Sequence, residues 1–161
     1  PSKNLERLIE AFNQLNQDNL KLVIAGKKGW LYESIFEIVK KLNLESKVIF
    51  TDFVSDKDKP LLMSQAEAFL LPSLYEGFGM PVIESMACGV PVLVSNQGSL
   101  PEVVNNAGIV VNPYEVQSIT DGIKKTIKEK EKLIKRGLER VKLFDWEISA
   151  KKTITLLEQY L

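Results

Sequence analysis

Apolar positions along this chain follow two alternating rhythms. Leu5, Leu8, Ile9, Phe12 and Leu15 recur at helical spacing across residues 3–16, which predicts an amphipathic helix. Residues 20–25 form a short, nearly continuous apolar run ended by Gly26, the pattern of a parallel strand buried on both faces. Ile35, Ile38, Val39 and Leu42 mark a second helix, and residues 48–53 read as a second strand. Pro60 opens a short helix holding Leu61, Leu62 and Met63; a proline is tolerated in a first turn, where the N–H groups lack partners anyway. A strand at 68–71 ends at Pro72, and a glycine-flanked turn leads into a helix running to about Cys88. A strand at 91–95, a short helix at 101–105 and a strand at 108–111 follow, the last closed by Asn112-Pro113. Three helices, at about 115–129, 131–143 and 146–160, complete the chain.

Strand and helix thus alternate through short links. The predicted fold class is α/β, a Rossmann-like parallel sheet with helices on both faces. Ligands of such sheets bind outside the carboxyl ends of the strands. The turn around residue 77 follows a strand, so it belongs on that edge. At 161 residues, one domain spanning 1–161 is the natural organisation. A doubly wound domain opens in a strand, whereas this chain opens in a helix and begins with Pro1. The expectation from Pro1 is that the true N-terminus precedes residue 1.

Composition narrows the chemistry. Lys+Arg and Asp+Glu each total 21, giving a formal net charge of +0, so no basic surface for nucleic acid or an anionic membrane is expected. The chain has no histidine, which removes Ser-His-Asp, Cys-His and His-metal sites. The single cysteine, Cys88, excludes an intrachain disulfide framework and is expected to be a small buried residue. No apolar run approaches the ~20 residues of a membrane-spanning helix.

Candidate chemistry concentrates in one stretch. Glu76 and Glu84 bracket the turn Gly77-Phe78-Gly79-Met80, which precedes Pro81. A turn of this kind at a helix start presents backbone N–H groups and a positive dipole end to an anion, and glycine lets the backbone approach a ligand closely. Ionised carboxylates accept hydrogen bonds from hydroxyl groups. A nucleoside-diphosphate sugar joins an anion and hydroxyls in one molecule. Glu84 is expected in the first turn of its helix, where the dipole favours an ionised carboxylate.

The whole run, Glu76-Gly77-Phe78-Gly79-x-Pro81-x-x-Glu84-x-Met86-Ala87-Cys88-Gly89-x-Pro91-Val92, resembles the signature of the retaining glycosyltransferases of family 4, the group 1 transferases. The resemblance covers essentially the whole chain, as the C-terminal, donor-binding half of the two-domain GT-B architecture. It implies that the first strand of this half precedes residue 1 and that an N-terminal acceptor domain is absent. It implies transfer of a sugar from a nucleoside-diphosphate sugar to a carbohydrate or lipid-linked acceptor held mainly by that absent domain. By the same resemblance Glu84 is the ribose ligand. Glu76 stands beside the donor sugar, holding a hydroxyl and stabilising positive charge at the anomeric carbon without acting as nucleophile. Gly77, Phe78, Gly79 and Met80 bind through their backbone, and Phe53 and Val54 lie near the nucleobase. Lys3, in Lys3-Asn4, contacts the diphosphate; a partner arginine of the family lies upstream of residue 1. No cofactor and no metal are implied, and the place of action is cytoplasmic, with peripheral contact at the inner membrane face through the absent domain. The final helix, with Trp146, is expected to cross back towards that domain.

Other readings compete at particular residues. Lys27 and Lys28 follow the strand end at Gly26, on the ligand edge, and suit either a phosphate or a solvated loop. Asp56-Lys57-Asp58 is formally the metal-binding Asp-x-Asp of the GT-A transferases, yet Ser55 and Asp58 better fit a helix cap ahead of Pro60. Gly98-Ser99-Leu100-Pro101-Glu102 matches a common family pattern, with Glu102 capping its helix. A receiver-like or oxidoreductase fold is disfavoured, because no Gly-x-Gly-x-x-Gly follows a first strand and no acidic phosphoacceptor cluster is evident. A binding module inactive in isolation, or a related phosphorylase or epimerase, remains as the alternative function.

Overall fold

The computed structural model describes residues 2–26 and 32–160. Lys27 and Lys28 lie outside the described residues. Five strands, β1 (Leu22–Ile24), β2 (Val48–Phe50), β3 (Phe69–Leu71), β4 (Val92–Ser95) and β5 (Gly108–Val111), alternate with the first helices. These are α1 (Leu5–Leu15), α2 (Tyr32–Lys41), α3 (Lys59–Ser64), α4 (Met80–Ala87), α5 (Leu100–Val104) and α6 (Val116–Lys128), followed by α7 (Lys130–Val141) and α8 (Trp146–Glu158). Each element expected from the hydrophobic pattern is present, and the first four strands are shorter than their apolar runs.

All pairing among the described strands is parallel, as expected of α/β alternation, but it divides into two sheets: β1-β2, and β3-β4-β5. Helices flank both faces of the three-stranded sheet. Leu93 and Val111 point into one core with α1, α2 and α6, through Ile9, Phe12, Val39, Ile119 and Ile123. Val92 and Val94 point into the other with α4 and α5, through Val82, Met86, Leu100 and Val104. Alternation along a pleated strand produces this split, since successive side chains leave opposite faces. In the two-stranded sheet Leu22, Ile24 and Val48 join the first core, whereas Val23 and Ile49, on the other face, stay about 40% exposed.

The helices pack closely on this frame. Asn4 and Asn16, both in the left-handed conformation, flank α1, and α1 lies against α6. A side-chain methyl added at Gly122 of α6 would sit 2.3 Å from Val111 Cγ1 and 2.8 Å from Leu93 Cδ1. Gly122→Ala should therefore lower stability by about 1–3 kcal/mol through overpacking, although alanine gains about 1 kcal/mol over glycine in helix propensity. Denaturant unfolding measures this; equal or greater stability would refute the close approach. The helix α8 differs from the rest. The Asp145 carboxylate caps it, accepting from the N–H groups of Glu147 at 2.7 Å and Ile148 at 3.0 Å. No residue of α8 is buried, and Trp146, Ile154, Leu156 and Leu157 are exposed. No helix among the described residues is long and apolar enough to cross a membrane.

Candidate active site

The site grows from the carboxyl end of β3. The chain leaves β3 through Pro72 and Ser73, passes Glu76, turns at Gly77-Phe78-Gly79 and enters α4 at Met80. Two glycines hold this loop in shape. Gly79, the N-cap of α4, takes φ 90° and ψ 44°, a conformation costly for residues with a Cβ, and a Cβ there would come within 2.6 Å of Leu100 Cδ2. Gly98, at φ 58°, lies under the loop, and a Cβ on it would meet the Glu76 carbonyl oxygen at 2.5 Å. The sequence had marked Gly98 only as part of a pattern leading to Pro101; its contact is with the Glu76 backbone.

Glu76 is the organised carboxylate of the loop. Its Oε1 accepts from the Lys3 ammonium and, at 3.0 Å, from Ser73 Oγ. Its side chain is 14% exposed while that of Lys3 is 54% exposed. Lys3 is brought there by its neighbour. Asn4 is buried, and its Nδ2 donates to the carbonyls of Pro72 at 3.0 Å and Pro113 at 2.7 Å. The Leu74 N–H donates to the Ser2 carbonyl at 2.8 Å. These bonds stitch the start of α1 to the ends of β3 and β5, and they place Lys3 beside a carboxylate 73 positions away. The sequence reading took Asn4 only as part of the Lys3-Asn4 pattern, since its bonds reach residues 68 and 109 positions away; Ser73, three positions before Glu76, was not singled out.

Glu84 lies just beyond the first turn in which it was expected. The helix begins at Met80, so Glu84 is its fifth residue and no acidic residue occupies the first turn. The charge is held by an ion pair instead of the helix terminus. Glu84 Oε1 accepts from the Lys59 ammonium at 3.0 Å, both side chains being about one-third exposed. The hydrogen bond to Glu84 raises the Lys59 pKa above its usual value, with partial burial opposing. Glu84 Oε2 is buried with no hydrogen-bond partner among the described residues. The two carboxylates thus form two separately paired centres, with the turn 77–79 between them in the chain.

The other candidates surround these centres. Phe53 is exposed and Val54 half-buried, just past the end of β2. There the Gly26 N–H donates to the Asp52 carbonyl at 2.9 Å, joining the ends of β1 and β2. Phe78 meets Phe144 edge-on, centroids 5.9 Å apart, and Met80 is 40% exposed. Asp58 is engaged with Ser55, whose Oγ donates to its carboxylate at 2.7 Å and accepts from its N–H at 3.2 Å; Asp56 lies 3.5 Å from Lys59. Two expectations need correction. Cys88 is half-buried at the end of α4, because that position closes the helix and does not face the core. Glu102 lies in the first turn of α5, whose N-cap Ser99 makes no side-chain capping bond; its backbone carbonyl accepts from Arg140 at 2.7 Å.

Comparison with known proteins gives this arrangement its relatives. The family model described as "Glycosyl transferases group 1" matches residues 1–140. The O-antigen chain mannosyltransferase B of Escherichia coli is 37% identical over 160 residues, which is 96% of this chain and 42% of that protein. Among solved structures, a sucrose-phosphate synthase from Thermosynechococcus elongatus superposes with a TM-score of 0.88 at 30% identity, over 99% of this chain and 42% of that one. The Anabaena protein HepE, solved in complex with UDP and glucose, superposes with a TM-score of 0.87 at 23% identity, over 100% of this chain and 46% of that one. This chain therefore spans less than half the length of each of these three.

Proposed function

The chain belongs to the group 1 glycosyl transferases, and on that premise we propose that it is the donor-binding domain of a retaining transferase. The enzyme moves a sugar from a nucleoside-diphosphate sugar to a carbohydrate or lipid-linked acceptor. The observation that carries this reading is the convergence of Lys3 and Ser73 on Glu76, at the end of a parallel strand and one turn ahead of the helix that bears Glu84. Carboxyl ends of parallel strands are where such folds bind ligands.

In this reading Glu84 accepts from the ribose hydroxyls, and the N–H groups around Gly77–Met80 face the diphosphate and sugar oxygens. Phe53 and Val54 lie beside the base. Lys3 serves two anions in turn, Glu76 before the donor arrives and the diphosphate afterwards, where its charge offsets that of the leaving group. Glu76, relieved of its cation, faces the positive charge developing at the anomeric carbon. The acceptor hydroxyl attacks from the face the leaving phosphate departs, and that phosphate assists. The donor is a substrate, and the reaction as proposed uses no resident cofactor or metal.

The remaining length of the polypeptide supplies the acceptor domain, and α8 with its exposed apolar residues leads towards it. The isolated domain is then a binding module that turns nothing over, since the cleft needs both halves. The place of action is cytoplasmic, peripheral to the membrane where the acceptor is lipid-linked.

Calorimetric titration of the intact protein with UDP, GDP and ADP tests the reading. One of the three should bind saturably, and that one names the base. Binding of none, by a protein shown to be folded, would overturn the donor-site assignment.

A further inference from the structure

Lys59 occupies an unfavourable place for a cation. It is the first residue of α3, the end of a helix where the dipole opposes positive charge. Its ammonium is nevertheless held between two carboxylates, 3.0 Å from Glu84 Oε1 and 3.5 Å from Asp56 Oδ1. Asp56 is fully exposed, with a side chain 100% accessible against 32% for Glu84, so the sheltered partner is Glu84. The two helices are clasped beside this pair, for Ser85 Oγ of α4 meets Met63 Sδ of α3 at 3.6 Å. The loop entering α3 is fixed by the paired Ser55 and Asp58 bonds.

An ion pair this exposed adds little to stability. Its effect is on geometry. A flexible glutamate has several rotamers, and a ligand that needs one of them is weakened by the fraction of time spent in the others. The pair to Lys59 occupies one lone-pair position of Oε1, an oxygen that can accept a second bond, while the buried Oε2 makes no hydrogen bond among the described residues.

We propose that Lys59 is a positioning residue for nucleotide binding: it fixes the Glu84 carboxylate in the orientation that receives the vicinal hydroxyls of a ribose. The inference rests on the donor-domain reading above and goes beyond it, by assigning the orientation of Glu84 to a residue on a different helix.

The test uses the intact protein and whichever of UDP, GDP and ADP binds most tightly, together with the 2′,3′-dideoxy form of the same nucleotide. Affinities are measured for the unaltered protein, Lys59→Met and Lys59→Arg. Lys59→Met should weaken the ribonucleotide about five- to tenfold, the scale of one ordinary net hydrogen bond. It should leave the dideoxy form within about twofold, because that ligand never engages Glu84. Lys59→Arg, which keeps a cation at Glu84, should recover most of the loss. Equal weakening of both nucleotides by Lys59→Met would overturn the proposal and assign Lys59 to the phosphates or to the fold. Tighter ribonucleotide binding would overturn it too, showing Lys59 to be a competitor for the carboxylate. If the unaltered protein fails to discriminate the two nucleotides, the ribose assignment of Glu84 itself fails and the proposal falls with it. The two kinds of failure are thereby told apart.

Discussion

Replacing Glu76 with glutamine should cut the transfer rate of the intact enzyme by about 10²–10³-fold, the usual cost of losing one preorganised electrostatic group in an active site. Nucleoside-diphosphate affinity should hold within about threefold. Glutamine keeps the shape of the side chain, and its carbonyl still accepts from Ser73, so the loop beneath it, held by Gly98, has no cause to move. The negative charge is what disappears. Lys3 then loses its ion pair and is freed for phosphate, which offsets any weakening of nucleotide binding. Charge that matters only as the anomeric carbon turns positive appears in kcat and not in ground-state affinity. Steady-state kinetics with calorimetry separates the two. A rate within tenfold of the unaltered enzyme would remove Glu76 from the chemistry and leave it as an anchor for Lys3.

Glu84→Ala should do the reverse. Nucleotide affinity should fall about 10–100-fold, the loss of one or two hydrogen bonds to a charged acceptor, and preference for ribose over dideoxyribose should vanish. Stability should change little. The Glu84 side chain is about one-third exposed, its partner Lys59 equally so, and pairs of that kind contribute about 1 kcal/mol or less. Removing the residue also removes a buried oxygen that makes no hydrogen bond among the described residues. Calorimetry and a thermal unfolding curve read both effects. Undiminished ribonucleotide binding in a folded variant would sink the assignment, whereas an unfolded variant would mean that Glu84 holds α3 to α4.

Which features the sequence disclosed depends on how far apart the cooperating residues lie. Helices and strands follow from periodicity within a dozen residues, so α1, α4 and α6 were legible from stripes such as Leu8, Ile9, Phe12 and Leu15. The division of the pairing into two sheets was not, because strand neighbours are set by the fold and leave no mark within a strand. At the site, the Glu76–Glu84 stretch is contiguous and announced itself. Lys3 was singled out by resemblance, yet its ion pair with Glu76 spans 73 positions and belongs to tertiary structure. Asn4 and Gly98 support that pair through nonlocal contacts, whereas Ser73 does so from three positions away. Lys59 did leave a local trace, a cation at the start of a helix against its dipole, but its meaning depends on the carboxylate 25 positions later. The misplacement of Glu84 by one residue is a boundary error: α4 begins at Met80 and not at Pro81, so Glu84 is its fifth residue and not its fourth.

The placement of β4 bears on how the domain comes apart. Val92, Leu93 and Val94 are all fully buried, Leu93 in one hydrophobic cluster and its two neighbours in the other. Neither cluster can open without exposing one side of the same strand. The helices of the two faces are therefore coupled through three consecutive residues and melt as one cooperative unit, with no intermediate that keeps one face intact. The helix α8 stands outside that unit, free to open and reclose at a small fraction of the global free energy.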